Sequence, residues 1–219
     1  MKIGILGAGF IGRAIATLAK QSGHEVMLSN SRGPETLMST VSAISCRAGT
    51  AREAAEFGDI VVVAVPLHSY PTLPVAELEG KVVIDTCNYY PERDGHIDLL
   101  DQHATTTSEL MARHLHGARL VKAFNAILAK DLDTDGIPPG RPDRRALPMA
   151  GDDAEAKGVV AGILDQFGFD AFDAGSLSES WRFERAKPAY CVRLDRAGLR
   201  EKLAEAKRHV ELPHGSWRH

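Results

Sequence analysis

Residues 2–15 read KIGILGAGFIGRAI. KIGIL has the short apolar character of a buried strand. Ile11, Ala14, Ile15, Leu18 and Ala19 then recur at helical spacing on one face. Between strand and helix lies Gly7-Ala8-Gly9-Phe10-Ile11-Gly12, a G-x-G-x-x-G run. Glycine spacing alone is weak evidence, but a glycine turn joining a strand to a helix is the phosphate loop of a dinucleotide-binding fold. In that fold Gly7 makes the tight turn, Gly9 lets the backbone approach a pyrophosphate, and Gly12 lets the helix pack on the strand. The helix start offers Phe10 and Ile11 amides and a positive dipole end to the phosphates.

The next strand and its sequel, HEVMLSNSRG (residues 24–33), decide between cofactors. A carboxylate at the end of this strand would bond the ribose hydroxyls of NAD and repel the extra phosphate of NADP. Here the place holds Asn30, Ser31 and Arg32. Neutral donors plus a guanidinium that can bind a 2′-phosphate and stack on adenine select NADP.

Apolar β-rich runs and helical patterns alternate through the rest, which predicts an α/β, Rossmann-type doubly wound, mostly parallel sheet. Gly33-Pro34 opens a helix, with proline where its missing N–H costs nothing. Thr50 with Glu53, and Thr106 with Glu109, read as capping boxes. DIVVVAVP, KVVIDTCN and ARLVKAFNA are continuous apolar strands, the last ending a set of six. Ligands of such sheets lie beyond the carboxyl ends of the strands. That places Val65, Pro66 and His68, then Thr86 and Asn88, then Ala123, Phe124 and Asn125 beside the cofactor, with Tyr89 and Tyr90 placed to stack on a flat ring.

After about Asp131, DTDGIPPGRPDRR reads as an exposed loop. ALPMAG, a helix from Asp153 to Phe167 and FDAFDAG follow. The expected division is an NADP-binding domain over 1–131 and a sheet extension with a small C-terminal helical lobe over 132–219. Trp181, Arg182 and Tyr190 form an aromatic and basic cluster there, with Trp181 a second candidate for the substrate wall. LREKLAEAKRHV reads as a solvated face or a dimer arm, and the tail LPHGSWRH as frayed.

The bulk numbers agree. The chain has 219 residues, 44% hydrophobic, with a formal net charge of −3, which gives no attraction for nucleic acid or an anionic membrane. No run approaches the roughly 20 apolar residues of a membrane span. Three scattered cysteines argue against disulfides or zinc, and the histidines are too dispersed to bind metal; His114 and His116 read as surface residues. A cytoplasmic homodimer is expected.

The pieces KIGILGAGFIGRAIA, SNSRGPE, DIVVVAVP, VVIDTCNYY, LVKAFNAI, MAGDDAEAKGVV and DAGSLSES run in order through about Trp181. Together they resemble the NADP oxidoreductases typified by coenzyme F-420-dependent NADP reductase, a set that includes the reductase domain of six-transmembrane ferric reductases. The resemblance implies NADPH held by Gly9, Phe10, Ile11, Ser31, Arg32, Val65, Pro66, Asn88 and residues 123–125. It also implies hydride exchange with a planar small molecule such as a deazaflavin or flavin, with no side-chain nucleophile. No GxSxG, Tyr-x-x-x-Lys or HExxH pattern occurs, consistent with chemistry carried by positioning. Alternatives are reduction of an imine, a carbonyl or a ferric chelate, or an NADP-binding redox sensor without turnover.

Overall fold

A computed structural model describes residues 1–213 and Gly215; most of the LPHGSWRH tail lies outside the described residues. Eight strands form one sheet: β1 (Lys2–Leu6), β2 (Glu25–Ser29), β3 (Arg47–Gly49), β4 (Ile60–Val63), β5 (Val82–Asp85), β6 (Arg119–Lys122), β7 (Ala146–Gly151) and β8 (Asp170–Asp173). Their order is β3-β2-β1-β4-β5-β6-β7-β8. The first six are parallel, and β7 joins β6 antiparallel while pairing β8 in parallel. This is the expected doubly wound α/β fold with two added strands.

The period-two alternation of each strand divides two cores. Ile3, Ile5, Ile60, Val62, Ile84 and Val121 face helices Phe10–Gln21 and Ala154–Gln166. Leu6, Val61, Val63, Val83 and Leu120 face helices Ala51–Phe57 and Thr107–His114. Both capping boxes form as expected, at Thr50–Glu53 and Thr106–Glu109. Pro34 starts a 3-10 turn, Pro34–Leu37, that leads into helix Met38–Ile44.

The added part is tied down by its acids. Asp153 caps helix Ala154–Gln166 through Ala156 N–H (2.9 Å) and takes two bonds from Arg119 on β6 (2.6 and 2.9 Å). The Arg119 guanidinium and that amide hold its carboxyl well below the usual range. Asp152 accepts from Leu177 N–H. A third apolar cluster, including Ala146, Phe183, Tyr190, Leu199 and Leu203, seats helix Arg196–Glu205 on β7.

Two expectations are corrected here. The DTDGIPPGRPDRR segment is not all exposed loop: Arg144 and Arg145 at its end are 4% and 1% exposed. Arg144 pairs with Asp165 and Asp170, and Arg145 with Asp131 and Asp135, so buried charge is matched at close range. His114 is half-buried and not fully exposed, its ring packed edge-on against Tyr70 at 5.3 Å.

β1 lies so close to helix Ala51–Phe57 that a Cβ on Gly4 would stand 1.9 Å from the Ala54 carbonyl oxygen. Gly4→Ala is therefore expected to cost about 1–3 kcal/mol, seen as a lower urea midpoint. An unchanged midpoint would contradict the close packing.

Candidate functional site

Each glycine of the loop has its own steric reason. Gly7 has φ +110, and a Cβ there would meet Ala64 O at 2.2 Å. A Cβ on Gly12 would meet Gly7 O at 1.9 Å. At Gly9 nothing lies within 4 Å of that position, which leaves an open cradle over the backbone. Helix Phe10–Gln21 starts at Gly9 with no side-chain cap and no acidic residue in its first turn. Its leading N–H groups are thus available to an anion, and no carboxylate competes with one. Phe10 is 78% exposed beside the cradle, with the Arg13 guanidinium 5.4 Å from its ring.

At the end of β2 the Asn30 side chain organises the loop. Its Oδ1 accepts from Arg32 N–H (3.0 Å) and its Nδ2 donates to Thr36 Oγ1 (2.8 Å), which in turn donates to Gly33 O. Asn30 therefore acts as a loop brace. Ser31 and Arg32 are left exposed, and Arg32 has no ion pair among the described residues.

Three further strand ends converge. β4 ends at Val63, two residues before Val65-Pro66, and the chain turns into Leu67–Thr72. Thr86 N–H and Oγ1 both donate to Val63 O (3.1 and 3.0 Å), and Cys87 Sγ meets Val65 O (3.2 Å). Asn88 Nδ2 donates to Asn125 O (2.9 Å) and Asn125 Nδ2 to Asn88 Oδ1 (3.2 Å), a reciprocal clasp. Ala123 is fully buried. Phe124 adopts φ 60, uncommon for a bulky residue, and its ring packs on Phe167. Its side chain thus faces the core.

His68 is held by Asp94 (Nδ1 to Oδ1, 3.0 Å), whose side chain is 0% exposed and also pairs with Arg93 (2.8 Å). Burial pushes the Asp94 carboxyl up, but bonds from Arg93, Tyr90 N–H and His68 outweigh it and hold the group below its ordinary value.

Both residues expected at the substrate wall, Tyr89 and Trp181, line one cavity of about 660 Å³, together with Thr107, Glu184, Arg185 and Lys187. Tyr89 OH donates to Asp101 (2.7 Å) and accepts from Ile97 N–H (3.0 Å), which fixes the ring. Trp181 has Arg182, Lys187 and Arg208 within 6 Å of its ring centre (4.5, 5.8 and 5.9 Å), an electron-rich face among cations. Tyr90 takes another role: it lies between Arg93 and Arg185 (4.6 Å each) and bonds Tyr190 OH (2.6 Å).

Sequence reasoning missed Asp85 and Lys122. These register partners on β5 and β6 form an ion pair at 3.1 Å with both side chains 0% exposed. Asp85 also accepts from Ser108 Oγ (2.7 Å) and Cys87 N–H (2.8 Å). The available signal was a charge ending each apolar run, VVID and RLVK.

The sheet order, the uncapped helix and its glycine cradle define a Rossmann-type dinucleotide-binding protein. Residues 2–89 match the family described as NADP oxidoreductase, coenzyme F420-dependent. Metalloreductase STEAP3 of Rattus norvegicus is 30% identical over 185 residues, which are 84% of this chain and 36% of that protein. Protein YjhV of Escherichia coli (strain K12) is 32% identical over 77 residues, 35% of this chain and 56% of its own. The chain thus spans less than two thirds of the length of either relative. Among solved structures, protein SMa0349 of Sinorhizobium meliloti superposes with TM-score 0.76 at 28% identity, over 89% of this chain and 94% of its own. A protein from Arthrobacter sp. FB24 assigned as an F420-dependent NADP-reductase gives 0.70 at 25%, over 82% and 87%. An imine reductase from Myxococcus stipitatus, at 0.59 and 18% over 81% and 55%, shares the fold. Over residues 2–89 the chain is therefore similar to this family of NADP oxidoreductases, and the rat and Arthrobacter proteins are similar to it over more of its length.

The Asp94 geometry sets a pH dependence. A carboxyl held below its unfolded value adds stability that is complete above that value, about 4, and lost as pH falls toward the folded value beneath it. The gap in urea midpoint between wild type and Asp94→Asn is expected to be widest near neutrality and to shrink in acid. A gap independent of pH would contradict the pairing.

Proposed function

We propose that the chain binds NADP(H) across the carboxyl ends of β1, β2, β4, β5 and β6 and exchanges a hydride with a planar acceptor, a deazaflavin such as coenzyme F-420 or a flavin. The observation that carries this reading is the uncapped helix start over the open Gly9 cradle, with the exposed Arg32 guanidinium at the neighbouring strand end. In it the amides of residues 9–12 hold the pyrophosphate, and Ser31 and Arg32 take the 2′-phosphate. Val65, Pro66 and His68 flank the cofactor, and Asn88 with residues 123–125 receives the nicotinamide end. NADPH supplies the hydride. The protein's part is to fix the geometry and keep water from the ring, and the cavity between Tyr89 and Trp181 receives the acceptor.

A second reading, reduction of a ferric chelate, is favoured by the likeness to the rat metalloreductase over 84% of this chain. Among the described residues no helix is long and apolar enough to cross a membrane.

Loss of NADPH absorbance on adding coenzyme F-420, with FMN and a ferric chelate in parallel, tests the proposal. Saturable oxidation by F-420 or FMN is expected, and oxidation by the chelate alone would assign the second reading. Oxidation by none, in protein that binds NADPH, would overturn the planar acceptor and the chelate and leave an imine or carbonyl substrate or a sensor. Arg32→Ala is expected to weaken NADPH about 10- to 100-fold in a binding titration and NADH about twofold or less. Equal losses would remove the 2′-phosphate role.

A further inference from the structure

The Asp85–Lys122 pair costs desolvation on both sides, and two short apolar strands would pair without it. Its hydrogen bonds point to what it does. Lys122 Nζ has three N–H donors, and all three are used: on Asp85 Oδ2 (3.1 Å), Thr107 Oγ1 (2.9 Å) and the Cys87 carbonyl. Asp85 Oδ1 accepts from the Cys87 N–H (2.8 Å). The pair therefore grips both peptide groups of a single residue, one with each charge. Cys87 directly precedes Asn88, and Lys122 directly precedes the 123–125 turn. Asn88 and Asn125 then clasp each other above the ion pair, and Asn125 Nδ2 reaches Phe183 O (3.0 Å). From Thr107 the same network continues to Glu184 Oε1, a wall of the cavity, through Thr107 Oγ1 (2.6 Å) and Thr107 N–H (3.0 Å).

We infer that Lys122, with Asp85, is the positioning residue of the nicotinamide wall. Its ammonium fixes the Cys87 peptide, so the Asn88–Asn125 clasp stands at one height and one angle beside the acceptor cavity. The inference rests on the NADP reading of the site. The adenosine half of the cofactor is held elsewhere, by the glycine loop and Arg32 at the ends of β1 and β2. Loosening the clamp should thus loosen one end of the dinucleotide and leave the other alone. A residue that merely kept the fold together would weaken both ends alike.

The test compares two ligands by calorimetry: NADPH, and adenosine 2′,5′-bisphosphate, which lacks the nicotinamide half. Removing one charge would strand the other in the core, so the variant is Lys122→Met with Asp85→Asn, which neutralises both. Expected is a rise of about tenfold in the ratio of the NADPH dissociation constant to that of the bisphosphate, with bisphosphate binding within about twofold of wild type. Equal weakening of both ligands, or no change in either, would overturn the positioning role. Wild-type protein that binds neither ligand would instead remove the NADP site itself, and the inference with it. If the double variant does not unfold cooperatively in urea, Thr107→Val carries the test. It deletes one Lys122 partner and is expected to raise the same ratio about threefold; an unchanged ratio overturns the role.

Discussion

A lysine and an aspartate, neither reached by solvent, meet side by side at the ends of two central strands. Such a pair is tolerated only if every remaining proton and lone pair is met, and here the partners are backbone groups of the adjoining loop and hydroxyls of Thr107 and Ser108. The consequence is geometric. β5 and β6 must keep their register, residues 85–88 must follow one path, and helix Thr107–His114 must start against them. Loss of one charge would cost about 3–5 kcal/mol, so the carboxyl end of the sheet holds one arrangement.

The rest of the site is arranged around that fixed edge. β4 is tied to the same loop through Val63 O and Val65 O. On the other side of β4 the steric demands at Gly7 and Gly12 bring helix Phe10–Gln21 down onto β1 and leave its amides facing the crevice. One end of the crevice therefore offers partial positive charge from a helix start, and the other offers amide side chains and backbone. In the proposed function the phosphates meet the helix start and the nicotinamide carboxamide meets the Asn88–Asn125 end. After β8 the chain returns over the carboxyl end of the sheet, where Trp181, Glu184, Arg185 and Lys187 wall the cavity beside Tyr89.

Much of this was legible from local chemistry. The glycine loop, both capping boxes, the proline at the start of the 34–37 turn and the apolar strands each follow from a rule that acts within a few residues. β3 was counted among the six strands but not located, because its three edge residues, Arg47–Gly49, carry no periodicity. Arg144 and Arg145 escaped because a proline-rich, charged run looks solvated, and only the fold brings Asp131, Asp135, Asp165 and Asp170 to them. Asn30 was read as a ligand donor from its place alone; the sequence did not show that its side chain also braces the loop through Thr36 and Arg32 N–H. The Asp85–Lys122 pair was illegible for the same reason as the arginines: its members are 37 residues apart in sequence, and charges at strand ends are usually solvated.

Hydrogen exchange with and without NADP+ would show whether these separate strand ends form one dinucleotide site. Exchange is expected to slow together in residues 7–13, 30–36, 64–68, 86–88 and 123–126, with little change at helix Arg196–Glu205. Protection confined to the glycine loop, or found only outside these segments, would contradict a cofactor lying along the whole crevice.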